Sequence, residues 1–371
     1  MVGTHFAIAL CPTSPGVVAI HLHSRPFNVR VRARRAAPRA FALHYVPLHP
    51  DGAPMSHPLK RQKTAIIKAI FGLIATLVLL VASPATAELR VVATTPDLGA
   101  IATEVLGDQG TVETLVRPGD DPHFVDPRPS FVPLLHRADL LVLVGMDLEI
   151  GWLPTLITGA RNPKLQPGQP GYFDASAHIV AADVPRGPVD RTMGDVHPGG
   201  NPHYTTDPRQ GARVALALGR HLAELDPPNA DAYVERSRNL ARDLIRVAQR
   251  FELLFRDLPA ERRQVVTYHK SWTYVAGWLS LTDVMQIEPK PGVPPNPRHV
   301  ARLVETIQER NIPAILQLNY YPTRTTEQLS ERSDATLLRL PAQTSEGQRY
   351  VAHLEALAER IYETLNPAPA P

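Results

Sequence analysis

Two periods alternate along residues 88–366. Short apolar, β-branched runs predict strands at Leu89–Thr94, Thr111–Val116, Asp139–Val144 and His178–Ala181, and stretches around Ile101, Val132 and Leu156 predict the helices between them. Alternation of this kind argues for parallel βα units. A second series repeats the pattern at Gln264–Tyr268, Val284–Ile287, Ala314–Leu318 and Thr336–Leu340. Asn296-Pro-Arg-His299 opens a helix, with Asn as cap and Pro in the first turn, and the last helix runs through Tyr350 to Leu365.

Between the two series the character changes to long helix. Asp231 to Leu258 sets Tyr233, Ser237, Leu240, Leu244, Val247, Phe251 and Leu254 at spacings of four and three, an apolar stripe on one face. At ~1.5 Å per residue such a helix runs about 40 Å, longer than one small sheet needs. It predicts a strut between two lobes. The expected division is a first lobe over 88–228, a linking helix over 229–259 and a second lobe over 260–366.

The residues before this region differ in kind. Residues 1–54 lack sustained periodicity and carry the basic run Arg30-Val-Arg-Ala-Arg-Arg35, so they are either a disordered extension or the product of an upstream start codon, with Met55 as the start. From Met55 a basic region (Lys60-Arg-Gln-Lys63), an apolar run (Ala69–Ala82) and Ser83-Pro-Ala-Thr-Ala87 form a secretory signal over 55–87. Cleavage after Ala87 starts the mature chain at Glu88 and sends it to the periplasm. The apolar run is shorter than the ~20 residues a membrane span needs. No cysteine follows it, which excludes lipid attachment there.

Composition narrows the chemistry. The 371 residues have a formal charge of +3, but residues 1–87 hold ten of the 39 Lys and Arg and one of the 36 acids, leaving 29 basic and 35 acidic side chains, a balance of −6. A nucleic-acid surface is therefore not expected on the folded part. Cys11 is the only cysteine, so a metal site must use His and carboxylates.

Nine histidines lie beyond residue 87. His136, His221, His299 and His353 sit inside helical patterns beside charged residues, and His178 begins a predicted strand; these read as surface or packing residues. Three others sit where a loop or strand end exposes them. His123 stands in Val116-Arg-Pro-Gly-Asp-Asp-Pro-His-Phe-Val-Asp-Pro-Arg-Pro129, a loop stiffened by four prolines just past a strand's carboxyl end, where α/β sheets place ligands. His203 lies in Gly199-Gly-Asn-Pro-His-Tyr-Thr-Thr-Asp-Pro208, and His269 ends Val265-Val-Thr-Tyr-His269. Three imidazoles make a strong zinc platform, although the scattered spacing also fits unrelated loop histidines. His197, in Gly194-Asp-Val-His-Pro198, competes with His203 and otherwise reads as a loop residue bonded to its neighbours.

The motifs together resemble the periplasmic solute-binding components of ABC-type zinc and manganese uptake transporters. The similarity spans Glu88 to Leu365 and rests on Gly119-Asp-Asp-Pro-His123, Ala138–Gly145 with Leu148-Glu and Trp152-Leu, Gly194–His203 with Asp207-Pro208, and Thr267-Tyr-His269 with Trp272 and Tyr274. It implies two Rossmann-like α/β lobes with parallel sheets, joined by one long rigid helix, with the metal in the inter-lobe cleft. It also implies His123, His203 and His269 as ligands, an ABC permease as partner and a monomer.

Members of that family commonly add a carboxylate ligand after one of the last two strands. Here those stretches, Leu316-Gln-Leu-Asn-Tyr-Tyr321 and Leu338-Arg-Leu-Pro-Ala-Gln343, hold no acid. Water, Gln317, Asn319 or Glu288 can fill the position. Asp121 and Asp126 flank His123 as orienting or capping groups. The segment after His203 lacks the family's Trp-Leu, which predicts looser packing behind that histidine. Three neutral imidazoles with few anionic oxygens favour Zn²⁺, with Mn²⁺ as the alternative. A three-histidine zinc hydrolase and a metal-binding adhesin on the same scaffold are the competing functions.

Overall fold

A computed structural model describes residues 88–190, 193–194 and 196–367. The expected extension over 1–54 and the expected signal peptide over 55–87 lie outside these residues. Strands β1 (Leu89–Ala93), β2 (Gly110–Thr114), β3 (Leu140–Leu143) and β4 (Tyr172–Asp174) form one sheet in the order β2-β1-β3-β4. Helices α1 (Pro96–Leu106), α2 (Phe131–Arg137) and α3 (Leu153–Ala160) connect them, and α4 (Pro208–Leu225) and α5 (Ala230–Arg256) follow.

Strands β5 (Gln264–Thr267), β6 (Thr282–Gln286), β7 (Ala314–Leu318) and β8 (Thr336–Leu340) form the second sheet, in the order β6-β5-β7-β8. Its connections are α6 (Thr273–Leu279), α7 (Pro297–Arg310) and α8 (Arg324–Ser333), and α9 (Tyr350–Leu365) closes the described chain. Every strand pairing is parallel, as the βα alternation predicts.

The two sheets share a core. Side chains alternate across each sheet, so Val91, Ala93, Leu140 and Val142 face one side of the first, and Val265, Ala314, Leu316 and Leu340 one side of the second. All of these join one continuous apolar cluster through α1, α4, α5, α6 and α9. Two smaller clusters cover the outer faces, one under α2 and α3 and one under α7 and α8. The strut packs on α1 and α4 beside the first sheet and on α6 and α9 beside the second, so it reaches both sheets through those helices.

Its 27 residues bury Tyr233, Ser237, Leu240, Leu244, Val247 and Phe251 from the predicted stripe. Leu254 is only half-buried, and Phe255 takes its place. The helix ends at Arg256, short of the expected Leu258, because Pro259 disfavours helical backbone before it. At Gly219 of α4 an added Cβ would come within 2.3 Å of Ser237 Oγ, so the two helices meet at backbone distance. Trp278 of α6 donates Nε1–H to Ala248 O (3.1 Å) and stands edge-on to Phe251, tying the second sheet's first helix to the strut.

One predicted strand is misplaced. Tyr172–Asp174 pairs with β3, and the chain then turns through a 3₁₀ segment at Ala175–His178, with Asp174 Oδ1 accepting from Ser176 N (2.9 Å). The apolar Ile179–Ala181 run makes no ladder, because neighbouring backbone donors go to side chains instead. Val180 N reaches Gln210 Oε1 (2.9 Å) and Ala182 N reaches Tyr274 Oη (3.0 Å).

Phe251 is 1% exposed, and Phe251→Ala is expected to cost about 3–5 kcal/mol, the usual range for emptying a buried aromatic site. Denaturant unfolding of the variant beside the parent checks this. A loss under about 1 kcal/mol would mean that the strut is not an energetic keystone.

Candidate metal centre

All the candidate ligands lie at carboxyl ends of strands or on the loop preceding α4. The chain leaving β2 carries His123, held by a local bond pattern: Asp121 Oδ1 accepts both the His123 backbone N–H (3.0 Å) and the ring Nδ1–H (2.7 Å). Trp152 Nε1–H donates to Pro122 O (3.0 Å) and pins the loop from below. His203 repeats the device, because Asn201 Oδ1 accepts from His203 N (3.0 Å) and from its Nδ1 (2.8 Å). Asn201 Nδ2 also donates to Lys270 O (2.8 Å), which couples His203 to the chain beside His269.

His269 follows β5, and its Nδ1 donates to Glu288 Oε2 (2.7 Å), an oxygen that also accepts from Gly292 N (2.9 Å). Each ring therefore spends Nδ1–H on an acceptor, which leaves a lone pair on Nε2.

Those free ends converge. One ring nitrogen from each of His123, His203 and His269 lies within 4.8 Å of the others. Ring centroids are 5.2 Å apart for His123 and His203, 5.4 Å for His203 and His269, and 6.1 Å for His123 and His269. Imidazoles bound through Nε2 at ~2.0–2.1 Å to one tetrahedral ion have centroids roughly 5–5.5 Å apart, close to these values. Nε2 of His123, His197 and His203 is buried without a hydrogen-bond partner, and each such atom costs about 1–3 kcal/mol. A cation between His123 and His203 would satisfy two of these atoms at once.

The electrostatics agree with a dication. Burial, and then the neighbouring His123 and His269, hold His203 well below the usual imidazole pKa, and burial lowers His197 to about 4. Burial, the largest single influence, would raise the Asp121 carboxyl, but its side-chain and backbone hydrogen bonds to His123 and the charge interactions with His123 and His269 together keep it below the ordinary value. The candidate donors are imidazole nitrogens, and the carboxylates of Asp121 and Glu288 stand one bond behind the rings of His123 and His269.

Asp121 and Glu288 thus orient histidines. Asn319 Oδ1 accepts from Ala342 N (3.2 Å), so it holds the turns after β7 and β8 together. Gln317 is fully buried, donates Nε2–H to Tyr321 O (2.9 Å) and keeps Oε1 without a partner. His197 stands beside the trio, its ring 5.4 Å from that of His123. The packing behind His203 is tight rather than loose: Tyr204 is fully buried with its hydroxyl on Val144 O (2.7 Å). His136, His178, His221, His299 and His353 bind carbonyls or pack elsewhere.

Asn201 was not singled out from the sequence, yet Asn201-Pro-His203 repeats Asp121-Pro-His123 and could have been found that way.

Residues 91–364 match the family described as zinc-uptake complex component A, periplasmic. The chain belongs to that family. Its members are metal-binding solute-binding components of ABC importers rather than enzymes, which removes the hydrolase alternative and makes a membrane permease the partner. A similar relative is the manganese ABC transporter substrate-binding lipoprotein PsaA of Streptococcus pneumoniae, 24% identical over 309 residues, 81% of this chain and 96% of the relative.

Two solved structures share the fold. A crystal structure of ZnuA superposes with a TM-score of 0.64 at 23% identity, covering 76% of this chain and 100% of that one. Laminin-binding Lmb of Streptococcus agalactiae, described as having adhesin and metal transporting activity, gives 0.60 at 22%, covering 75% and 100%.

A histidine with a depressed folded pKa stabilises the fold above its unfolded value of ~6.5 and loses that contribution as pH falls toward the folded one. Between pH 6.5 and about 4 the metal-free protein should therefore lose stability through His203 and His197. Glu149 and Asp283, raised by burial to about 7 and about 6, tilt the opposite way, so the parent curve is a sum. His203→Gln should flatten the acid fall of the melting temperature relative to the parent. Parallel curves would sink this assignment.

Proposed function

We propose that the protein captures Zn²⁺ in the periplasm through His123, His203 and His269 and delivers it, as a monomer, to its ABC permease. The observation that carries the proposal is the convergence of imidazole nitrogens, two of them buried and unpartnered, with no carboxylate oxygen in the same set. Imidazole suits zinc, whereas manganese prefers oxygen ligands, so Mn²⁺ is the weaker candidate despite the manganese-transporting relative. Export relies on the signal over 55–87, with cleavage after Ala87. The working division is a lobe over 88–228, the linking helix over 229–259 and a lobe over 260–366.

Release to the permease involves small lobe shifts, since wide opening would expose the apolar core that both sheets share. Scattering profiles of zinc-free and zinc-loaded protein should nearly coincide; a clear change in radius would contradict the rigid-strut reading.

The decisive test is metal content and competitive zinc and manganese affinity of the parent and of His123→Ala, His203→Ala and His269→Ala. One tight zinc, weakened in all three variants and outcompeting manganese, is expected. Binding should also weaken steeply below about pH 6, because imidazoles must be neutral to ligate. A pH-independent curve or a preference for manganese would overturn the proposal.

A further inference from the structure

We infer that His197 is the fourth ligand of the bound ion, presented by the strained turn Val144–Leu148 that Glu149 holds in place. The inference rests on the three-histidine reading above and specifies the position that reading leaves open.

Three observations favour His197 for the fourth position. The His197 and His123 rings are 5.4 Å apart, the same separation as His203 and His269. The Nε2 of His197 is buried and unpartnered, like those of His123 and His203, and the Met146 backbone lies close enough to the ring to interact with it. His197 also lines both an inner cavity of about 60 Å³ with His203 and His269 and an outer one of about 390 Å³ with His123. It stands outside the set of nitrogens within 4.8 Å of one another, so ligation by His197 requires its ring to approach the other three.

The other candidates are mostly committed. Glu288 and Asp121 are bonded to His269 and His123, and Asn319 Oδ1 to Ala342 N. Gln317 Oε1 is the remaining competitor.

The presenting turn is built for the task. Met146 (φ 51°) and Asp147 (φ 60°) both adopt the left-handed conformation directly after Gly145 (φ 77°), a run that non-glycine residues rarely sustain. Glu149 enforces it from beneath: Oε1 accepts from Val144 N (2.7 Å) and Thr94 Oγ1 (2.7 Å), and Oε2 from Gly145 N (3.1 Å). Glu149 is thus a positioning residue for His197, acting through Met146.

The test combines zinc-edge X-ray absorption with chelator competition on the purified parent, His197→Ala, Glu149→Gln and the double variant. Expected are four imidazoles in the parent and three in His197→Ala, with affinity lower by about tenfold or more. Glu149→Gln should weaken zinc and add nothing to His197→Ala in the double variant. Unchanged imidazole count and affinity in His197→Ala would overturn the ligand role and hand the position to Gln317 or water. Additive losses would overturn the positioning role, and Thr94→Val supplies the same comparison if Glu149→Gln does not fold. Tight zinc retained by His203→Ala would instead defeat the three-histidine reading itself.

Discussion

Everything at the centre depends on where each imidazole spends its Nδ1–H. A histidine on a loop can turn either nitrogen to an ion and can rotate about two side-chain bonds. Asp121, Asn201 and Glu288 remove that freedom by accepting Nδ1–H at 2.7, 2.8 and 2.7 Å. Each ring is then fixed in tautomer and direction before a cation arrives, so capture does not have to order it. The acceptors differ in reach. Two come from the residue pair preceding the histidine, whereas Glu288 comes from the end of a neighbouring strand, so His269 is correctly aimed only if β5 and β6 are in register.

That dependence carries the argument from the site into the fold. The trio draws His123 and His203 from segments around the first sheet and His269 from the second, so its geometry is as stable as the relation between the sheets. Polar bonds set that relation at the cleft: Asn201 reaches Lys270 O, the Tyr274 hydroxyl donates to Asn201 O (2.8 Å), and the buried Asp97 accepts from Thr344 N (2.8 Å). Beneath them the strut and its neighbours join the two sheets into one apolar core. Bonds and core of this kind are what the proposed small lobe shifts rest on.

The fold was largely legible because both of its periods are strong. Parallel strands buried on two faces read as continuous apolar runs, and the strut stripe reads as a helix face. The failure at His178–Ala181 has a physical cause, since apolar composition alone cannot say whether backbone donors will meet a neighbouring strand or the side chains of Gln210 and Tyr274. At the site the histidines could be found, but their orienters were less visible. The Asx-Pro-His repeat is local and was available at residues 121–123 and 201–203. Glu288, by contrast, meets His269 only through the pairing of β5 with β6, and the link from Glu149 to His197 passes through backbone conformation, which no residue type announces.

The charge arrangement bears on selectivity. In the proposed site the donor atoms are imidazole nitrogens, while the carboxylates of Asp121 and Glu288 sit behind the rings, each joined by a hydrogen bond that makes its imidazole a better donor. An oxygen-seeking ion such as manganese gains little from that arrangement, because the carboxylates cannot reach it without abandoning the histidines they hold. A nitrogen-seeking ion gains twice, from the basicity of the rings and from the long-range attraction of the charges. Moving one of those carboxylates into the ligand set would therefore do more to change the cargo than altering any residue of the surrounding core.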